Sequence, residues 1–222
     1  MVPALRKAFN DAFTKEKYQA FLNDLNSFHP GAIEFRLAET PVFISKSFGR
    51  KIIEACEYII DFILDSDFKK LTERSIPAEE KVPGENSFPQ MLIFDFAICT
   101  NSDGEPEPQL IEMQGFPSLY GFQVLYPDLI SHHFPVPANY SQYLGDKGRD
   151  GYLELLRSVL LGPYPAENVI LLEIKPHEQK TRIDFYCTRD LTGIQPVCIT
   201  ELIQEGKDVF YLLNGKKTHV KR

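Results

Sequence analysis

Leu92-Ile93-Phe94-Asp95-Phe96-Ala97-Ile98, followed after a turn by Leu110-Ile111-Glu112-Met113-Gln114, decides how this chain is read. Met91 to Cys99 is almost continuously apolar and bounded by turn residues, which predicts a buried strand. Asp95 stands in its middle, and a carboxylate in a buried strand is costly unless it has a partner. Asn101 to Pro108 reads as a turn and Gln109 to Met113 as a second strand. With Asp103-Gly104 as a two-residue tip, Asp95 falls directly opposite Glu112, and Gln114 shares the face of Glu112. Pro106 and Pro108 disturb pairing near the tip, and a one-residue slip would send the two carboxylates to opposite faces.

Opposed like charges destabilise a strand pair, their Cβ atoms being only about 5 Å apart. Two readings follow from the residues alone. In one, a cation lies between the carboxylates. Two carboxylates and an amide oxygen are hard ligands that suit Mg²⁺ better than zinc, and Mg²⁺ with few protein ligands usually also coordinates substrate phosphates. In the other, Asp95 and Glu112 each meet an Arg or Lys in a structural ion pair.

Toward the N-terminus, Tyr18, Phe21, Leu22 and Leu25 form one helical face, which Pro30-Gly31 ends. Val42-Phe43-Ile44 reads as a short strand. Ser47 is placed to cap the next helix, whose Ile52, Ile53, Cys56, Ile59, Ile60 and Ile63 make a broad core-facing stripe. That helix bends near Asp65, and Ile76 to Pro89 is a loop. Toward the C-terminus, Leu119 to Ile130 and Tyr152 to Leu161 read as helices. Gly162-Pro163-Tyr164-Pro165 is the expected domain boundary. Beyond it, Val169–Ile174, Thr181–Leu191 and Val197–Ile199 read as strand, helix and strand of a parallel crossover, with Gly193 just past the helix. Val209–Leu213 and Lys216–Val220 form a hairpin turning at Asn214-Gly215.

The 222 residues carry 24 Lys and Arg against 31 Asp and Glu, for a net charge of −7, which speaks against a nucleic-acid partner. The longest greasy stretch, Ile52–Leu64, is interrupted by Glu54, Glu57 and Asp61, so no membrane span is expected. Cys56, Cys99, Cys187 and Cys198 fit no zinc or redox spacing, and the N-terminus has no apolar leader; the expected compartment is the reduced cytoplasm.

The segment Phe94-Asp95-Phe96, the turn, and Leu110 through Gln114-Gly115-Phe116-Pro117-Ser118 resemble circularly permuted ATP-grasp proteins, the group of glutathionylspermidine synthase and its relatives. In that family an aspartate on one strand and a Glu-x-Asn on the next bind the Mg²⁺ of Mg-ATP. The resemblance therefore implies Asp95, Glu112 and Gln114 as Mg²⁺ ligands, with Gln114 standing where the family has asparagine. Ile93 and Phe94 occupy the stretch where the family often has an arginine. Val169–Glu173, the helix with Gln179-Lys180-Thr181, and the Asn214-Gly215 hairpin are similar to the pre-ATP-grasp unit.

The resulting expectation is an α/β fold of two domains. Residues 1–163 form helices on a mainly antiparallel sheet carrying the metal-binding strands, and residues 164–222 a small Rossmann-like pre-ATP-grasp βαβ domain that is truncated. The implied function is the N-terminal part of an ATP-dependent carboxylate–amine ligase working through an acylphosphate, with Mg²⁺ and ATP as cofactors. Its partners would be small-molecule or peptide carboxylates and amines, and the C-terminal ATP-grasp half of the same chain. No catalytic residue is assigned, and the 222 residues alone are expected to be inactive, because the nucleotide-gripping lysines of permuted relatives lie beyond the matching region. The competing expectation is a degenerate, non-catalytic binding or assembly module.

Other residues read more plainly. Arg36 reads as one half of a surface ion pair, and His132-His133 as a solvated or helix-capping pair without a third ligand. Cys99 reads as an inert core thiol, Ser118 has no histidine base, and Lys216-Lys217 and Lys221-Arg222 are the solvent face of an edge strand.

Overall fold

The computed structural model describes residues 2–84, 89–115, 119–145 and 147–222, and the chain is a mixed α/β protein. In chain order the α-helices and strands are α1 (Pro3–Ala12), α2 (Lys15–Phe28), α3 (Lys46–Leu64), α4 (Phe68–Thr72), β1 (Ile93–Thr100), β2 (Pro106–Gln114), α5 (Phe122–His133), α6 (Gly148–Leu161), β3 (Ile170–Glu173), α7 (Arg182–Thr192), β4 (Gln195–Cys198), β5 (Ile203–Glu205), β6 (Asp208–Leu213) and β7 (Lys216–Val220). Among the described residues three small sheets result: antiparallel β1-β2, parallel β3-β4, and antiparallel β5-β6-β7. Among the described residues no helix is long and apolar enough to cross a membrane.

The chain divides into two compact units. One comprises residues 43–117 with the first two residues, the other residues 3–42 and 118–222. The segments on either side of Gly162-Pro163 thus share one unit.

In the first unit, α3 begins at Ser45, whose hydroxyl accepts the Phe48 amide at 3.2 Å. Ser45 therefore takes the capping role that the sequence suggested for Ser47, which instead lies within the first turn and meets Ser45 Oγ at 2.9 Å. The isoleucine stripe of α3 is half-buried, and α3 packs against β2. Among this unit's described residues only Phe43, Phe48 and Gly49 are buried. β1 is accordingly not the buried strand that its composition suggests. Among the described residues it pairs with β2 alone, with no third strand beside them, and Asp95, Ile98, Cys99 and Thr100 are exposed.

The second unit has the larger core. Phe9, Phe21 and Leu25 are fully buried, and Phe134 stacks on Phe9 at 4.9 Å and on Phe13 at 5.8 Å. Phe21 meets Tyr126 edge-on at 5.7 Å, joining α2 to α5. α2 is expected from its apolar face whereas α1 is passed over, although Leu5, Ala8, Phe9 and Ala12 line one face of that helix and Phe9 is buried. β3, α7 and β4 form the expected parallel crossover, with Gly193 ending α7 at φ +83°. The β6-β7 hairpin turns at Asn214 (φ 51°) and Gly215 (φ 79°), the left-handed pair a two-residue turn requires.

Asp184 of α7 is the buried charge among this unit's described residues, 5 % exposed. Its carboxylate accepts the backbone N–H groups of Gly121 at 2.9 Å and Phe122 at 2.8 Å, so one helix caps the start of another, α5. Gly121 is required by the close approach: a Cβ there would lie 2.7 Å from the Thr188 amide nitrogen and 2.7 Å from its hydroxyl. Burial lifts the Asp184 carboxyl above its ordinary range, and the backbone donors hold that rise back.

Asp184→Ala leaves those donors buried and unpaired and should cost about 2–4 kcal/mol in urea unfolding, while Gly121→Ala should cost about 1–3 kcal/mol through overpacking. The pH dependence has a definite sign. With the folded pKa raised above the ordinary 3.8, the native state holds the proton more tightly, so this group's contribution grows as pH falls through the folded value toward 3.8. Urea titrations of wild type and Asp184→Asn across that window should show the stability difference moving in favour of wild type as pH falls.

Candidate functional site

The β1-β2 hairpin carries the residues singled out from the sequence. Its loop is not the two-residue tip the sequence suggested. Asn101 and Glu105 close it, the Asn101 N–H donating to the Glu105 carbonyl at 2.9 Å, with Gly104 at φ +80°. Asn101 Oδ1 accepts the amides of Asp103 at 3.0 Å and Glu105 at 2.9 Å, an arrangement that asparagine favours in turns. From this loop the pairing runs Thr100 with Pro106, Ala97 with Gln109 and Phe96 with Leu110. Left regular, it would place Asp95 opposite Ile111.

A β-bulge intervenes. The register shifts between Asp95 and Phe96, Ile111 is left without a partner, and Asp95 pairs with Glu112. The longer loop and the extra residue offset one another, and the carboxylates meet as expected by a route the sequence did not suggest. The bulge also switches faces. Asp95, Ala97 and Cys99 share one side of the hairpin with Glu112, Gln109 and Glu107, while Phe94, Phe96 and Ile98 share the other with Met113, Leu110 and Pro108. Without the bulge, Glu112 and Gln114 would join Leu110 on the apolar side.

Asp95 and Glu112 are both exposed and Gln114 is half-buried beside them. The Gln114 side-chain N–H donates to Glu112 Oε1 at 2.5 Å, fixing the glutamate's arm. Among the described residues no lysine or arginine forms an ion pair with Asp95 or Glu112. Two facing carboxylates without an organic cation, flanked by an amide, are an oxygen-only donor set that fits Mg²⁺. Gln114 would join it by turning its amide so that oxygen rather than nitrogen faces the ion, a rotation that isoelectronic amide ends allow.

The other residues fall as follows. Arg36 pairs with Glu39 at 3.3 Å on the surface. Cys99 is exposed, not a core thiol, because β1 is uncovered at that end. The Cys187 thiol is pushed up to about 12 by burial. Cys198 is held below its ordinary range by the Thr200 hydroxyl and the Lys175 N–H, which sit 3.1 and 3.2 Å from its sulfur. Ser118, with Phe116 and Pro117, lies outside the described residues. Lys217 pairs with Glu205, and its ammonium stands 4.3 Å over the Phe210 ring. His132 and His133 do acquire a third group, Asp24, which sequence reasoning missed because it lies on another helix more than a hundred residues away.

Comparison of the chain with protein-family models, with curated proteins and with solved structures finds no match in any of the three.

Proposed function

We propose that the chain is the N-terminal part of an ATP-dependent carboxylate–amine ligase of the permuted ATP-grasp type, with Asp95, Glu112 and Gln114 holding Mg²⁺. The observation that carries this reading is the Asp95–Glu112 pair set by the Ile111 bulge. A protein selected for stability alone has little reason to keep like charges opposed on a hairpin. Such ligases phosphorylate a carboxylate and let an amine attack the acylphosphate; bound Mg²⁺ would supply charge neutralisation at the phosphates. The chain's own residues would bind and orient. Asp95 and Glu112 would grip from opposite strands, and Gln114 would add its amide oxygen from the strand of Glu112. In the same reading the β3-α7-β4 crossover and the β6-β7 hairpin are the Rossmann-like pre-ATP-grasp portion, and β1-β2 belongs to an ATP-grasp sheet. The site of action proposed is the cytoplasm.

A second reading, a non-catalytic binding or assembly module, draws on one observation: both carboxylates stand in solvent, where a pair of them holds Mg²⁺ weakly. Its structural form, with each carboxylate in an ion pair, has no lysine or arginine partner to support it among the described residues.

Thermal unfolding of wild type and Glu112→Gln, with and without millimolar MgCl₂, separates the readings. The ligase reading expects Mg²⁺ to raise the wild-type Tm. It also expects Glu112→Gln to be more stable than wild type by about 0.2–1 kcal/mol without Mg²⁺, through relief of repulsion, and to lose the Mg²⁺ response. A variant that is less stable without Mg²⁺ and still responds to it would contradict the reading.

A further inference from the structure

Asp24, His132 and His133 form a cluster in the second unit, whereas the hairpin carboxylates belong to the first. Asp24 lies in the C-terminal half of α2, and the histidines are the last two residues of α5. One ligand atom from each of the three lies within 4.8 Å of the others. Adjacent helical residues normally diverge, but here α5 ends at His133 and the chain leaves in extended form at Phe134 (φ −130°, ψ 154°). The two rings stand 5.1 Å apart at 88°, both within reach of Asp24.

Packing holds two of the three in place. Phe21, fully buried and three residues before Asp24, meets the His133 ring edge-on at 6.0 Å. His133 Nε2 and Asp24 Oδ2 are 3.0 Å apart, with side-chain exposures of 17 % and 38 %. Ligand atoms of a tetrahedral zinc site with bonds of about 2.0–2.1 Å lie roughly 3.3 Å from one another. This pair is therefore close to ligand spacing already. His132 is exposed, so a side-chain rotation that closes the remaining gap meets little resistance.

We infer that Asp24, His132 and His133 bind a divalent transition-metal ion of the zinc class. Two imidazoles and one carboxylate suit a borderline ion rather than Mg²⁺, which the all-oxygen hairpin set suits better. Three protein ligands leave a coordination position for water or an exogenous ligand. The ion would also tie α2 to the end of α5, so its binding would stabilise this unit.

The test is titration of the full chain with ZnCl₂, followed by bound-metal analysis and Tm, and with CoCl₂, followed by its visible absorption. The inference expects one ion per chain, a rise in Tm, and a cobalt spectrum of the intense four-coordinate kind. His132→Ala, at an exposed position that should not disturb folding, and Asp24→Asn should each weaken binding by more than about tenfold. Glu112→Gln and Cys99→Ser should leave it unchanged. Binding that survives His132→Ala at wild-type strength, or that disappears in Cys99→Ser or Glu112→Gln, would overturn the inference, as would absence of saturable binding in wild type.

Discussion

The larger unit depends on one buried charge. Asp184 places a carboxylate from α7 against the first amides of α5, and those amides have no other use for their hydrogens at a helix start. The arrangement works only if the two backbones approach closely, which is why position 121 has no side chain. Once α5 is fixed at its beginning, Val124, Leu129 and Ile130 enter the core, and its last turn brings His133 against Phe21. The position of the Asp24–His132–His133 cluster thus follows from the cap at the other end of the same helix.

The hairpin depends on a different local event. Ile111 is one residue too many for its strand, and the surplus decides which side chains face one another. It moves Glu112 and Gln114 from the side of Leu110 to the side of Asp95, and so separates an acidic, amide-bearing face from an apolar one. The exposed apolar side, with Ile98, Leu110 and Met113, is the cost of presenting a two-stranded sheet.

Much of the fold was legible because it rests on local signals. Asn214-Gly215 specifies its turn through two left-handed residues, Gly193 ends α7 in the same way, and the apolar run at Val169 and the spacing to Val197 announce a parallel crossover. The pairing of Asp95 with Glu112 was also legible, although through a turn the chain does not use: nothing in Ile111 itself signals a bulge, and Asn101 discloses its turn only once its side chain is seen to accept two amides. The exposure of β1 is not legible in its sequence, because an apolar run reports what a strand could bury, whereas burial depends on what covers it. Asp24 was not legible at all, since its meeting with the histidines is made by the packing of α2 on α5. Asp184 was equally silent, one acidic residue on a helix whose burial and partners come from a distant loop.

The central claim is that the bulged hairpin assembles Asp95, Glu112 and Gln114 into one Mg²⁺ site. Mn²⁺, an oxygen-seeking paramagnetic substitute for Mg²⁺, tests it most directly when added in substoichiometric amounts to the isotope-labelled chain. The account predicts that the resonances of Asp95, Glu112 and Gln114 broaden first and recover when excess Mg²⁺ is added. Broadening centred on other carboxylates, such as Asp103 and Glu105 at the hairpin tip, with these three unaffected, would contradict it.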